Sequence, residues 1–152
     1  MEVARSIEIA RPIDAVFAFV ADARNHPKWR PKVLSAVQLQ GDGPGPGARY
    51  ELATRPLPGR PPSSGTAVCV GWEPPQSIEW HENDGVDDVR MRCLFSDLGG
   101  ATTQVTQQTL LTPATPQRLR PILLRSRMRH GVGRDIELQM QALKRVLEGQ
   151  AG

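Results

Sequence analysis

The sequence predicts an α+β fold: a curved antiparallel sheet of seven strands wrapped around a long C-terminal helix, with two short helices between the first two strands. Three observations predict it. From Val33 to Leu111 apolar residues recur at every second position, in runs joined by short Gly- and Pro-rich links, which is the pattern of an antiparallel meander. At the C-terminus the period changes, and Ile136, Met140, Leu143 and Leu147 follow at helical spacing. Ahead of the meander, Ile13, Val16, Phe17 and Val20 recur in the same helical way.

The elements are taken in chain order. In VARSIEI, Val3, Ile7 and Ile9 share one side, as in a strand with one buried face. Pro12 suits the first turn of a helix, where its missing N–H costs nothing. The polar stretch DARNHPKW forms a short second helix or turn that returns Trp29 towards the core, and Pro31 ends it. Val33, Ser35, Val37 and Leu39 alternate, and GDGPGPG at 41–47 makes a tight connection. Tyr50 and Leu52 mark the third strand. RPLPGRPPSSG at 55–65 carries four prolines and is expected as an exposed loop. Val68, Val70 and Trp72 alternate, Glu73-Pro74-Pro75 closes that strand, and Ile78 and Trp80 open the next. Val89, Met91, Cys93 and Phe95 form the sixth strand; after Gly99-Gly100, Thr103, Val105, Gln107, Thr109 and Leu111 form the seventh. The final helix begins near Leu119, Ile122 and Leu123, with Pro121 either in its first turn or splitting off a short helix. Gly131 and Gly133 either bend it or let it pack closely on the sheet.

The chain has 152 residues, enough for one domain (residues 1–152) that buries about 68–70% of its unfolded surface. With 39% hydrophobic and 23% charged residues it is neither disordered nor fibrous. No apolar run reaches the length of a membrane span, and the first residues lack a signal-peptide core. Cys69 and Cys93 stand apart from any Cys/His cluster, so neither a structural metal site nor a disulfide scaffold is expected. The expectation is a reduced, cytoplasmic protein without a cofactor. Abundant Arg, Ala, Gly and Pro point to a GC-rich bacterial genome.

Net charge is only +3, but it is unevenly spread. Acids crowd residues 73–97. Residues 98–134 hold none, and carry Arg118, Arg120, Arg125, Arg127, Arg129 and Arg134. Such a run is usually a solvated helix face. Its interleaving with Leu119, Ile122, Leu123, Leu124 and Met128 also suits a helix lying on an anionic membrane or a partner, through Arg118, Arg125, Arg127 and Arg129. No aromatic lies there to stack a base, so nucleic acid is not an expected partner.

One helix covers only part of a strongly curved sheet, and the room left between them is lined by inward strand faces. That geometry predicts a mostly apolar pocket for a small molecule, reached through loops such as 55–65.

VARSIEIARP, IDAVFAFVADARNHPKWRPKV, GDGPGPGARY, EPPQSIEW and the ending DIELQMQALKRVLEG together resemble the START/polyketide-cyclase-like (SRPBCC) superfamily over essentially the whole chain. The similarity is to its polyketide cyclase/dehydrase and lipid-transport-like branch. The resemblance implies a helix-grip fold with a deep hydrophobic cavity between sheet and C-terminal helix, and binding of lipids, polyketides, sterols or similar molecules. In that strand order, Cys69 and Cys93 would flank the strand of Trp80, about 9–10 Å apart and beyond disulfide reach. Fold alone does not decide catalysis.

The residues expected on the pocket wall are Tyr50, Val70 and Trp72, then Trp80, then Met91, Cys93 and Phe95, then Val105 and Gln107, and Ile136 and Met140 on the helix. Pattern does not separate lining from plain core packing. Cys69, out of phase with Val68 and Val70, is expected to face away from the pocket. Catalytic motifs with fixed spacing are absent, and GDGPGPG does not open a helix as a phosphate cradle would. Candidate acid–base or positioning groups reduce to Glu82, Gln107 and His81. Glu82 shares the phase of Trp80 and either points inwards or lies past the buried region. Gln107, with Thr103 and Thr109, could orient a carbonyl or hydroxyl, or simply pair across strands. His81 should face outwards, His130 should be solvated, and His26 is expected in a surface or capping role. Three functions compete: a binder of a small hydrophobic ligand acting in transport or sequestration, an aromatase/cyclase-like or dehydratase-like enzyme on a polyketide-type substrate, and a peripheral membrane or partner-docking module. Oligomeric state stays open.

Overall fold

A computed structural model describes residues 1–55, 63–83, 87–113 and 122–149, with backbone alone at 87, 113 and 122–128. The elements are β1 (Glu2–Ile9), α1 (Ile13–Ala21), a 3-10 turn (Ala23–Asn25), α2 (His26–Trp29), β2 (Val33–Gln40), β3 (Arg49–Thr54), β4 (Ser63–Glu73), β5 (Ser77–Asn83), β6 (Asp87–Gly99), β7 (Thr102–Pro113) and α3 (Ile122–Gly149). All seven strands form one antiparallel sheet in the order β1-β7-β6-β5-β4-β3-β2. The expected fold class is therefore the observed one. β4 begins at Ser63, inside the stretch expected as a loop, and residues 56–62 of that stretch lie outside the described residues. Among the described residues no helix is long and apolar enough to cross a membrane.

The inner face of the sheet carries the core. Trp80, Met91 and Thr109 align across β5, β6 and β7, and Ile78, Cys93 and Gln107 form the next row. The helix stripe is as expected: Ile136, Met140, Leu143 and Leu147 are all buried. α3 packs on β1 and α2 rather than on the middle strands, while α1 covers β6 and β7, with Phe17 edge-on to Phe95 and Trp72 at 5.4 and 5.3 Å. The helix runs unbroken past Gly131 and Gly133. Of the two roles left open for these glycines, Gly133 takes close packing: a side chain there would meet the Arg5 guanidinium, which lies across the helix to bond Glu137 at 3.0 Å.

Two strands depart from the simple alternation. A bulge between Cys69 and Gly71 shifts the phase of β4. Cys69 is consequently buried on the inner face beside Trp80, and Val70 is 52% exposed on the outer one. Both expectations are corrected: Cys69 does not face away, and Val70 is not on the interior wall. In β2 an irregularity after Val33 leaves Val33 buried but turns Val37 and Leu39 out to solvent at the sheet edge.

Cys69 and Cys93 are free, on β4 and β6 either side of β5. Burial pushes the Cys93 thiol up to about 12, and it raises Cys69 as well. A thiol reagent at pH 8 should therefore modify neither cysteine in the native protein and both in denaturant, because the thiolate is the reactive form. For the bulge, Val70→Lys should change stability by about 0.5 kcal/mol or less. Cys69→Lys should cost several kcal/mol by burying an unpaired charge, read as a shift in the urea midpoint. Equal effects at the two positions would contradict the observed phase.

Candidate functional site

The short α2 helix places three side chains on one face, since positions i, i+3 and i+4 of a helical turn are neighbours. They are His26, Trp29 and Arg30, with the Arg30 amide closing the turn onto the His26 carbonyl at 2.8 Å. All three point into the concave side of the sheet. His26 is fully buried, edge-on to Trp29 at 5.3 Å and to Trp80 at 4.8 Å. A surface or capping role for His26 is therefore incorrect: the helical turn, and not the polarity of its neighbours, sets its direction.

Arg30 meets Glu82 end-on. Nη1 donates to Oε1 at 2.6 Å and Nη2 to Oε2 at 3.0 Å, with side chains only 11% and 14% exposed. Glu82 thus lies on the inner face, in phase with Trp80, and not out on the solvated hairpin. Its neighbour His81 faces outwards as expected, half-exposed and 3.2 Å from Asp88. Arg30 Nη1 also lies 3.1 Å from His26 Nδ1. Arginine has only hydrogens to offer, so Nδ1 must be the acceptor and the ring proton belongs on Nε2. Burial drives the His26 pKa well below its usual value, and the Arg30 charge lowers it further, against a weaker opposing pull from the Val20 backbone. Burial also opposes the charge on Arg30, but Glu82 more than offsets it and raises that pKa.

Two hollows flank this ion pair. The larger, about 140 Å³, has a floor of Met91, Gln107 and Ile136 and a rim of half-exposed Val89, Leu111, Val132, Asp135 and Gln139, with Thr109 between them. Arg30 forms one side. The smaller, about 90 Å³, sits between the ends of β3 to β6 over Leu52, Thr54, Gly65 and Thr66, with Glu82 and Asn83. Val89 borders both. Arg30 and Glu82, one in each lining and bonded to one another, therefore form the wall between the two spaces. In the larger hollow the Gln107 amide donates to Gln139 Oε1 at 3.0 Å and approaches Met91 Sδ at 3.2 Å, while its buried Oε1 has no partner. Asp135 at the rim is bonded to Lys32 at 2.6 Å.

Of the residues expected on the wall, the structure brings Met91, Gln107 and Ile136 to the larger hollow. Tyr50, Trp80, Cys93, Phe95, Val105 and Met140 are buried in the core, and Trp72 is half-buried against it. Arg30, Asp135 and Gln139 were not foreseen. Arg129, His130 and Arg134 are exposed on α3, while Arg118 and Arg120, and the side chains of Arg125 and Arg127, lie outside the described residues.

The chain matches the family described as polyketide cyclase / dehydrase and lipid transport over residues 1–148. None of the curated proteins matches it. Among solved structures it is similar to the Zhui aromatase/cyclase of Streptomyces sp. R1128, at 16% identity and a TM-score of 0.80, covering 100% of this chain and 96% of that one. A START superfamily protein from Mycobacterium smegmatis gives 18% identity, a TM-score of 0.75 and 98% coverage of both chains. A protein from Thermus thermophilus gives 15%, 0.80 and 100% of both. Identities this low speak for the fold alone.

The buried neutral histidine has a consequence for acid stability. Its folded pKa lies below its unfolded one, so from about pH 6.5 downwards the unfolded chain takes up a proton that the folded chain refuses. Stability should fall with pH in that window, by up to about 1.4 kcal/mol per unit, before the carboxylates begin to titrate. Urea unfolding between pH 7.5 and 5.5 should show this slope, and His26→Gln should flatten it; an unchanged slope in the variant would refute the assignment.

Proposed function

The chain belongs to the polyketide cyclase / dehydrase and lipid transport family, and from that premise we propose that it binds one small, largely apolar molecule in the hollow under α3 and carries or sequesters it. The observation that carries this reading is the about 140 Å³ space in which Met91, Ile136, Val89, Leu111 and Val132 offer an apolar surface while Arg30, Gln107, Thr109, Asp135 and Gln139 offer polar groups. An apolar cavity of about 150 Å³ is known to accommodate a benzene ring, so the space as it stands suits one ring or a short chain segment. Burying such a body gains roughly 25 cal/mol per Å² of apolar area, less the cost of ordering the guest.

The aromatase/cyclase alternative asks for a group free to move a proton within hydrogen-bond reach of the guest. The groups on hand are committed elsewhere. Glu82 is held by both nitrogens of the Arg30 fork, Asp135 by Lys32, and His26 is sealed between two tryptophans. Gln107 is neutral and suited to orientation alone. This distribution supports binding over catalysis.

A fluorescent apolar probe should saturate at one per chain. Ile136→Trp, which fills the floor, should weaken it by about tenfold or more. The overpacking cost of about 1–3 kcal/mol leaves the domain folded, as circular dichroism would report. Non-saturating binding, or unchanged affinity in a folded Ile136→Trp, would defeat the reading.

A further inference from the structure

We propose that the Arg30–Glu82 pair is an exchangeable latch, and that the favoured guest is an apolar molecule ending in a carboxylate, which takes the place of Glu82 on the Arg30 fork and joins the two hollows into one. The inference rests on the binding reading above and adds the chemistry of the guest.

The geometry carries it. Arg30 borders the larger hollow, Glu82 the smaller, and their contact is the partition. Each space alone, at about 140 and about 90 Å³, suits one ring or a short chain segment. Room for a longer guest is gained by parting this pair. Once parted, the two side chains fare differently. Glu82 sits at the end of β5 next to exposed Asn83, so rotation about its side chain returns it to water. Arg30 is the more committed of the two. It springs from the end of α2 and is flanked by His26, with its Nε already buried and unpartnered. A neutral guest that parted the pair would leave a guanidinium unpaired in the interior, which is the costly state for a buried charge. A carboxylate guest restores two parallel N–H···O bonds in the geometry that Glu82 now occupies. The exchange swaps one anion for another at Arg30 while Glu82 regains its hydration, so burial of the guest's apolar body is free to drive it. His26 supports the site by remaining a neutral acceptor for Nη1, which holds the fork facing the partition.

The test compares octanoate with 1-octanol, two probes of equal chain length, by calorimetry on the full chain. Octanoate should bind wild type about tenfold more tightly than octanol. Glu82→Gln removes the competing anion and should raise octanoate affinity further, by about tenfold, with octanol little changed. Glu79→Gln, on the outer face, should change neither. Equal binding of the two probes to wild type, or weaker octanoate binding in Glu82→Gln, would overturn the latch. The wild-type comparison stands even if the glutamine variant does not fold. Failure of both probes to bind any form would instead remove the binding reading on which the latch rests.

Discussion

Everything inside this protein derives from asking one long helix to close the concave side of seven strands. An α-helix is about 10 Å across with its side chains, whereas the strands lie nearly 5 Å apart. α3 therefore settles mainly on β1 and α2, with Ile136, Met140, Leu143 and Leu147 buried and Ile136 also reaching the larger hollow. α1 covers β6 and β7 with Phe17. Over β5 the covering falls to the short α2 segment. A single turn has few side chains to give, so each must be large: Trp29, His26 and Arg30 do the covering. Hollows persist on either side of the Arg30–Glu82 pair.

How far the sequence foretold this differs from element to element, for physical reasons. The strand runs and the helical stripe were plain because burial on one face imposes a period, and both periods survive in the structure. The phase of β4 was not plain. Ala67-Val68-Cys69-Val70 is apolar throughout, so alternation cannot say which set is inside, and Gly71 within a strand was the sign of the bulge that decides it. β2 misled for a different reason. It is an edge strand whose irregularity after Val33 turns Val37 and Leu39 to solvent, so they keep the residue types of a strand without a core to enter.

The interior site escaped the sequence because the polarity of DARNHPKW points His26 to a surface or capping role even as Trp29 turns to the core, and Arg30 carries no signal of its own. Taken as one helical turn, the spacing of His26, Trp29 and Arg30 already puts all three on the side that Trp29 must bury. Once Trp29 is placed in the core, the other two are carried with it. Glu82 is the counterpart: its phase along β5 matched Trp80, and the choice between inside and outside depended on whether a cation awaited it. That cation comes from a segment 52 residues earlier, which no local pattern connects to β5.

A buried ion pair of this kind is a poor device for stability, because the desolvation of two charges consumes most of their attraction. It is better understood as a device for placing charge among the apolar Met91, Ile136, Val89 and Leu52 and the neutral Gln107 and Thr109. The Arg30 charge is tolerable only while an anion is in contact, and its contact with Glu82 is also the partition between two small volumes. In this interior, volume and charge are one variable: the space cannot be enlarged without uncovering a cation. The neutrality of His26 belongs to the same balance, since a second positive charge beside Arg30 would both repel the fork and remove the lone pair that orients it. On the latch proposed above, a cavity built this way would select its contents by the end group they bring to Arg30 as much as by the area they bury.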